Sequence, residues 1–496
     1  MRLGELRRQF DVEQPGEPSG VLDISVRSPI SPESARKMND DQWLAAMTKH
    51  SVGGADLLTG TGGAAELSQV LKNEALGEPE RFARLALRLT TALHPAYGNA
   101  ILQALADTTQ LIEPDLVFDA IRHIASLGNE DYQDWLGWPL RRFRDEEMPD
   151  DVIEIIIDRA LHATSPTEDG WARKDGSGPL YGGDIWTNGL NTARGQSAVV
   201  LGDLVAHDAD GHRTALITPV LDQLAEDPSV AVRCCVGYLL TFCLRHARTE
   251  ATAAFRRLIQ TDDRLLATNP ILDLITYIGV VEPAEIEPVI QRMLASADGD
   301  VRKAGSKMAA FAGLDLGLGH LLTTSRDSQD AVTRQGTAEI CARRLPHTAD
   351  RAAAAAGLER FVDDQDEDVR RAAAELATSL RGQALQPYAG LLTALIASES
   401  FQPALPQLLI TLQDAPDRTD DLVVLCARRF LDIHGTDIGN IATAAAGEAP
   451  DIGGLVIRAY AQASDAASRA KALDLIDDLL LAGAFDFARM IDEAAR

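Results

Sequence analysis

Residues 363–368 read Asp363-Asp364-Gln365-Asp366-Glu367-Asp368, a carboxylate density that could hold a hard cation. Counted from Asp363, the run lacks the glycine at position six and the glutamate at position twelve of a calcium loop. Carboxylates at a helix start, favoured by the macrodipole, account for it more simply. His207 and His212 flank Asp208 and Asp210, the nearest approach to a metal cluster. The ten histidines are otherwise scattered, without an H-E-x-x-H or a close pair at ligand spacing. Gly60-Thr61-Gly62-Gly63-Ala64-Ala65 fits G-x-G-x-x-A, but no convincing strand precedes it, so the dinucleotide reading fails. Cys234-Cys235 is a vicinal pair; the equivalent positions elsewhere, Lys303-Ala304 and Arg371-Ala372, mark it as helix packing rather than redox chemistry. No catalytic residue, cofactor site or metal site is expected.

Residues 164–190 contain six glycines, two prolines and two tryptophans without helical periodicity. A loop this long is often functional or a junction. Trp171, Arg173, Lys174, Tyr181 and Trp186 lie on it. Trp171, Arg173, Tyr181 and Trp186 are the candidate partner-binding residues, since aromatic and Arg side chains serve as binding anchors. The competing reading is a connector that folds its tryptophans over the junction.

The elements around these residues are set by a repeat. A seven-residue signature, [D/S]-x-[S/D]-x-x-[V/T]-R, occurs four times: Asp227 to Arg233, Ser296 to Arg302, Ser328 to Arg334 and Asp364 to Arg370. The starts are 69, 32 and 36 residues apart. The first gap spans two repeats, with a degraded copy near Asp262-Asp263. Asn191-Thr192-Ala193-Arg194 is a weaker copy, 39 residues before Arg233. The Asp or Ser can accept from orphan N–H groups at a helix start, and the sixth residue opens the buried stripe. Small or apolar residues follow two and six positions after each Arg: Cys235 and Leu239, Ala304 and Met308, Gly336 and Ile340, Ala372 and Leu376. They let neighbouring helices approach closely. The Arg can reach a turn Asp of the next repeat. A unit of this length holds two helices and two turns, which must stack to bury their apolar faces.

This signature and period resemble HEAT or HEAT-like repeats over roughly residues 190–380. The resemblance implies an all-α α-solenoid of antiparallel helix pairs, expected as a right-handed superhelix. A broader resemblance links five stretches to the helical C-terminal region of bacterial NACHT/STAND-type NTPases of antiphage defence. They are SPISPESARKMNDDQWLAAM (28–47), EPERFARLALRL (78–89), NTARGQSAVVLGDL (191–204), DPSVAVRCCVGYLL (227–240) and IRAYAQASDAASRAKALDLIDDLL (457–480). That resemblance implies a sensor or autoinhibitory arm. The chain has no G-x-x-x-x-G-K-[S/T], so it lacks that family's phosphate-binding loop.

Outside the repeat, residues 1–32 read as an extended arm interrupted by Pro15, Pro18, Pro29 and Pro32. Residues 33–163 read as a helical region: Asn39 caps one helix, Pro79 opens another, and further helices fall near 95–107, 114–127, 131–145 and 149–163. The loop 164–190 marks the main boundary. The repeat array covers 191–400, and a helical cap covers 401–496.

The 496 residues carry 47 Lys plus Arg against 74 Asp plus Glu, a net charge of −27. That balance opposes nucleic acid and anionic membranes and favours a protein partner of basic or mixed charge. Aromatics are only 5%, which suits thin helix–helix contacts. Five cysteines without C-x-x-C spacing fit a reducing compartment. No signal peptide or long apolar run is seen, so a soluble cytoplasmic protein is expected. The expected function is non-catalytic protein recognition, as scaffold or sensor. The alternatives are a HEAT-like enzyme, of DNA glycosylase or chromophore lyase type, and the regulatory subunit of a split NTPase system.

Overall fold

The computed structural model describes residues 26–51, 61–128, 135–167 and 180–484. Among them the backbone is helix and turn, and the sole β feature is an isolated bridge between Arg27 and Thr61. No helix among the described residues is long and apolar enough to cross a membrane. Chain contacts divide the protein into two compact units, residues 1–251 and 252–496. Residues 164–167 and 180–190, the described ends of the loop 164–190, belong to the first unit.

In the first unit, Asn39 caps the helix Asp40–Lys49 through a reciprocal capping box with Gln42. Pro79 sits at the first position of Pro79–Ala86, where its missing N–H costs nothing. Phe82, Leu85, Ala86 and Leu89 are all buried. Helices Ala96–Asp107, Pro114–Ser126 and Asp150–His162 form at the expected places. Of the helix expected over 131–145, residues 131–134 lie outside the described residues, and no α-helix forms over 135–145. Residues 138–143 form a 3₁₀ turn instead, with Pro139 in its first turn denying the backbone one donor. Residues 1–25 of the expected arm lie outside the described residues.

The loop expected to be structureless also holds a short helix, Ile185–Leu190, capped by Asp184, whose carboxylate accepts the Thr187 N–H at 2.5 Å. Six residues are too few to display a helical period. The small residues place it: a Cβ on Gly189 would overlap the Ala231 carbonyl of the helix Val230–Cys243.

The second unit repeats one motif. A first helix packs on a second, and the second helices lie side by side: Gly299–Asp315, Ala331–Arg344, then Glu367–Ala374. The core between them is aliphatic, with Phe361, Phe401 and Phe430 fully buried. Each such ring contributes about 2–3 kcal/mol by leaving water.

The five cysteines are free and buried. Burial drives the Cys235 thiol well above its ordinary range and lifts those of Cys341 and Cys426 to about 12, so they behave as core hydrophobes.

Candidate protein-binding face

The signature divides its labour between two polar positions. The third residue is the N-cap: Ser229, Asp298, Asp330 and Asp366 accept from the first turns of their helices. The first residue braces the turn, since Asp227, Ser296, Ser328 and Asp364 each accept the N–H of the third.

The arginines then tie rung to rung. Arg334 donates through Nε and Nη2 to both oxygens of Asp364, at 2.7 and 2.9 Å. Its Nη1 closes its own turn on the Ser328 and Gln329 carbonyls. Arg194 grips Asp227 in the same way, at 2.7 and 3.2 Å. Where the first position is serine, the ladder moves two residues on, and Arg302 reaches Asp330 at 3.2 Å. Arg370 closes its turn on the carbonyls of Asp364 and Gln365. Arg233 is buried on Val230–Cys243. Asp262 caps the 3₁₀ turn Asp263–Ala267, and Asp263 takes Arg292 at 2.5 Å.

One copy escaped sequence reading. Ser398-Glu399-Ser400-Phe401-Gln402-Pro403-Ala404 leads into the helix Phe401–Asp414, and Ser398 accepts the Ser400 N–H as the signature demands, although Ser400 makes no side-chain cap. Pro403 and Ala404 stand where Val and Arg would, which hid it.

These rungs carry a pH dependence. Burial alone would raise the Asp364 carboxyl, but the hydrogen bonds from Arg334 and the Asp366 N–H outweigh it and hold it low. Asp330 is held low likewise, by Thr333 and Arg302 against its burial. A depressed folded pKa gives stability that is complete above the unfolded value, about 3.9, and is lost as pH falls through the folded value. Stability measured by urea unfolding is expected to fall steeply below about pH 4. In Asp364→Asn that acid-linked part of the loss should be smaller.

The acidic run 363–368 is consumed in the same way. Asp363 accepts the Glu399 N–H, Asp364 binds Arg334, Asp366 caps, and Glu367 and Asp368 pair with Arg371. His207 and His212 pair with Asp145 and Asp150 at 2.7 and 2.8 Å. No group of three metal-ligating residues occurs among the described residues. The Gly63 N–H donates to Glu66 of its own helix at 2.8 Å, leaving that amide engaged.

With the signature spent on construction, the positions one, five and nine residues after each Arg share one face of their helix and form a ridge in the second unit. In the second unit these are Lys303, Lys307 and Phe311, then Gln335, Glu339 and Arg343, flanked by buried neighbours. In the first unit Gly195, Val199 and Cys234 are buried at these positions, and Asp203, Tyr238 and Phe242 enter a continuous aromatic and charged string. Lys72 lies 5.7 Å from the Trp135 ring, and Trp135 lies 5.8 Å from Trp138. Arg141 stacks over Trp138 at 4.5 Å and binds Asp203 at 2.6 Å. Tyr238 donates to Asp203 at 2.7 Å and packs against Trp186 and Phe242 at 5.6 and 5.0 Å. A Cβ on Gly202 would sit 2.7 Å from the Tyr238 ring, so the glycine makes room for the tyrosine.

Of the four candidate loop residues, Trp171 and Arg173 lie outside the described residues. Trp186 is half-buried on Tyr238. Tyr181 is 48% exposed, at φ 49°, in the left-handed region that costs a non-glycine residue about 1 kcal/mol. The structure does not bring Tyr181 to the string. Sequence reasoning missed Trp135, Trp138, Arg141, Asp203 and Tyr238. The available signal was the crowding of tryptophans between 135 and 186 in an aromatic-poor chain. Tyr238→Phe removes one charge-assisted bond and should cost about 1–2 kcal/mol in urea unfolding.

Rungs that lock successive helices in register, and pairs that bury only when stacked, define an all-α solenoid of HEAT-like antiparallel helix pairs. No protein-family model and no curated sequence matches the chain. Among solved structures, the karyopherin Kap121p bound to the extreme C-terminus of the protein phosphatase Cdc14p is similar in fold, with a TM-score of 0.50 at 11% identity. The match covers 92% of this chain and 52% of that one. Kap121p bound to Ste12p is similar to the same degree, at TM-score 0.50 and 11% identity over 92% and 51% of the two chains. The chain spans about half the length of these neighbours.

Proposed function

We propose that the protein is a non-catalytic recognition scaffold that reads a protein partner with the outward ridges of its second-unit signature helices. The observation that carries this is the division of labour in the repeat. Polar groups of the signature are consumed in building the stack, while the ridge positions vary from rung to rung in size and charge. The Kap121p structures bound to the extreme C-terminus of Cdc14p and to Ste12p support such a mode of use. At long range, the net charge of −27 favours a partner of basic or mixed charge. The stretches resembling NACHT/STAND helical regions support a sensor in bacterial defence, working in the cytoplasm beside a separate ATPase chain.

The test is quantitative affinity purification from cells that naturally produce the protein. The wild-type chain is expected to retain a stoichiometric protein partner, and a co-purified ATPase would establish the split system. Trp171→Ala/Arg173→Ala and Tyr181→Ala should lose that partner if the 164–190 segment contributes to binding. Repeated recovery of the wild-type chain alone would overturn the scaffold reading.

A further inference from the structure

The ridge of the second unit carries a local charge opposite in sign to the chain. Lys303 and Lys307 both reach a single carboxylate, that of Glu339, at 2.7 and 2.6 Å. Glu339 is only 9% exposed, whereas each lysine keeps about a third of its side chain in solvent. Each ammonium has three donors, so donors remain over. Arg343, next along the Glu339 ridge, is exposed and makes no hydrogen bond or ion pair with the described residues. Two lysines thus share one buried carboxylate, with Arg343 one turn further along its helix and the exposed Asp273 on the adjacent helix Asn269–Gly279.

An apolar strip lies beside them. The helix Asn269–Gly279 runs alongside Gly299–Asp315, and the Thr276 hydroxyl approaches Met308 Sδ at 4.0 Å. In that contact a residue just before one ridge meets a residue just after the next. Ser306 and Gly336 meet by the same rule, as do Gly202 and Leu239 in the first unit. The rule places Tyr277 at the ridge position equivalent to Phe311, on the same side. Tyr277 is 57% exposed, and Val280 and Val281 continue the strip at 59% and 58%. Large apolar groups clustered at such exposure mark interaction surfaces.

We propose that this ridge binds an extended acidic polypeptide segment bearing an apolar side chain. Its carboxylates would engage Lys303, Lys307 and Arg343, and its apolar group would rest on Tyr277 and Val281. A basic segment would meet three cations and would have to strip the lysines from Glu339. A nucleic acid would present many phosphates to a chain of net charge −27, whereas a short peptide feels the field within about 10 Å. The proposal rests on the ridge being a recognition surface, and its test separates the two.

The measurement is fluorescence anisotropy of the full chain with a fluorescein-labelled peptide of Glu and Gly around a central Leu, compared with its Lys-for-Glu counterpart. The acidic probe is expected to bind, more weakly as salt rises. Lys303→Glu/Lys307→Glu should lower its affinity by about tenfold or more, and Arg343→Ala by about threefold. Glu339→Gln releases both ammoniums and should tighten binding, an outcome that a merely structural role would not give. Circular dichroism checks that each variant is folded, and Tyr277→Ala, at an exposed position, tests the apolar contact without touching the charge cluster. Preference for the basic probe, lost in the same variants, would overturn the acidic partner and leave ridge recognition standing. Failure of both probes would count against both. Tighter binding of duplex DNA through the same lysines would replace the peptide with nucleic acid.

Discussion

Arg334→Ala is expected to destabilise the second unit by about 3–5 kcal/mol in urea unfolding. Arg334 spans two rungs, with one nitrogen on its own turn's carbonyls and two on Asp364. The pair is well buried, with side-chain exposures of 15% and 9%. Truncation strands the Asp364 carboxylate and reopens two carbonyls at once. Arg334→Lys should recover little, because an ammonium cannot make the planar two-point grip. Removing both partners, as Arg334→Met/Asp364→Leu, should cost much less than Arg334→Ala alone, since no buried charge is then left unpaired. Equal losses in the single and double variants would refute the account of the rung.

Gly336→Val should cost about 2–3 kcal/mol, by overpacking rather than by loss of a contact. A Cβ at Gly336 would overlap the Ser306 hydroxyl and stand 2.7 Å from the Lys303 carbonyl, which is backbone and cannot swing aside. Valine adds two methyls to that overlap. The control is Gly390→Ala in the helix Ala389–Ala397, where a Cβ would meet nothing within 4 Å. There the gain in helix propensity should stabilise by about 0.5–1 kcal/mol. Thermal melts of the two variants should therefore move in opposite directions.

The helical stack was legible because its cause is local. An N-cap, a following apolar residue and an Arg seven positions into the motif write themselves into the sequence at each turn. Ser398–Ala404 was missed because only its two serines survive; Pro403 and Ala404 removed the two residues that announce a copy. The helix Ile185–Leu190 was missed because it is held by close packing at Gly189 rather than by an amphipathic stripe. The aromatic string was invisible for a related reason. Trp138, Arg141, Asp203 and Tyr238 are separated by up to 100 residues, and their meeting depends on register between helices. The sign of the second unit's ridge was likewise hidden under the net charge, which counts every surface equally.

The grips of Arg194, Arg302 and Arg334 run in one direction, toward the turn that follows, so each of these rungs is complete only when another has been added after it. Arg370 breaks that dependence: the turn beyond it offers Ser398 and Ser400 instead of a carboxylate, and Ser400 donates to the Arg370 carbonyl instead. Gene duplication or loss of whole modules between Arg302 and Arg370 would preserve every grip, whereas a crossover within a module would orphan a guanidinium in the interior. Related chains should accordingly differ in length by multiples of one module and seldom by fractions of it.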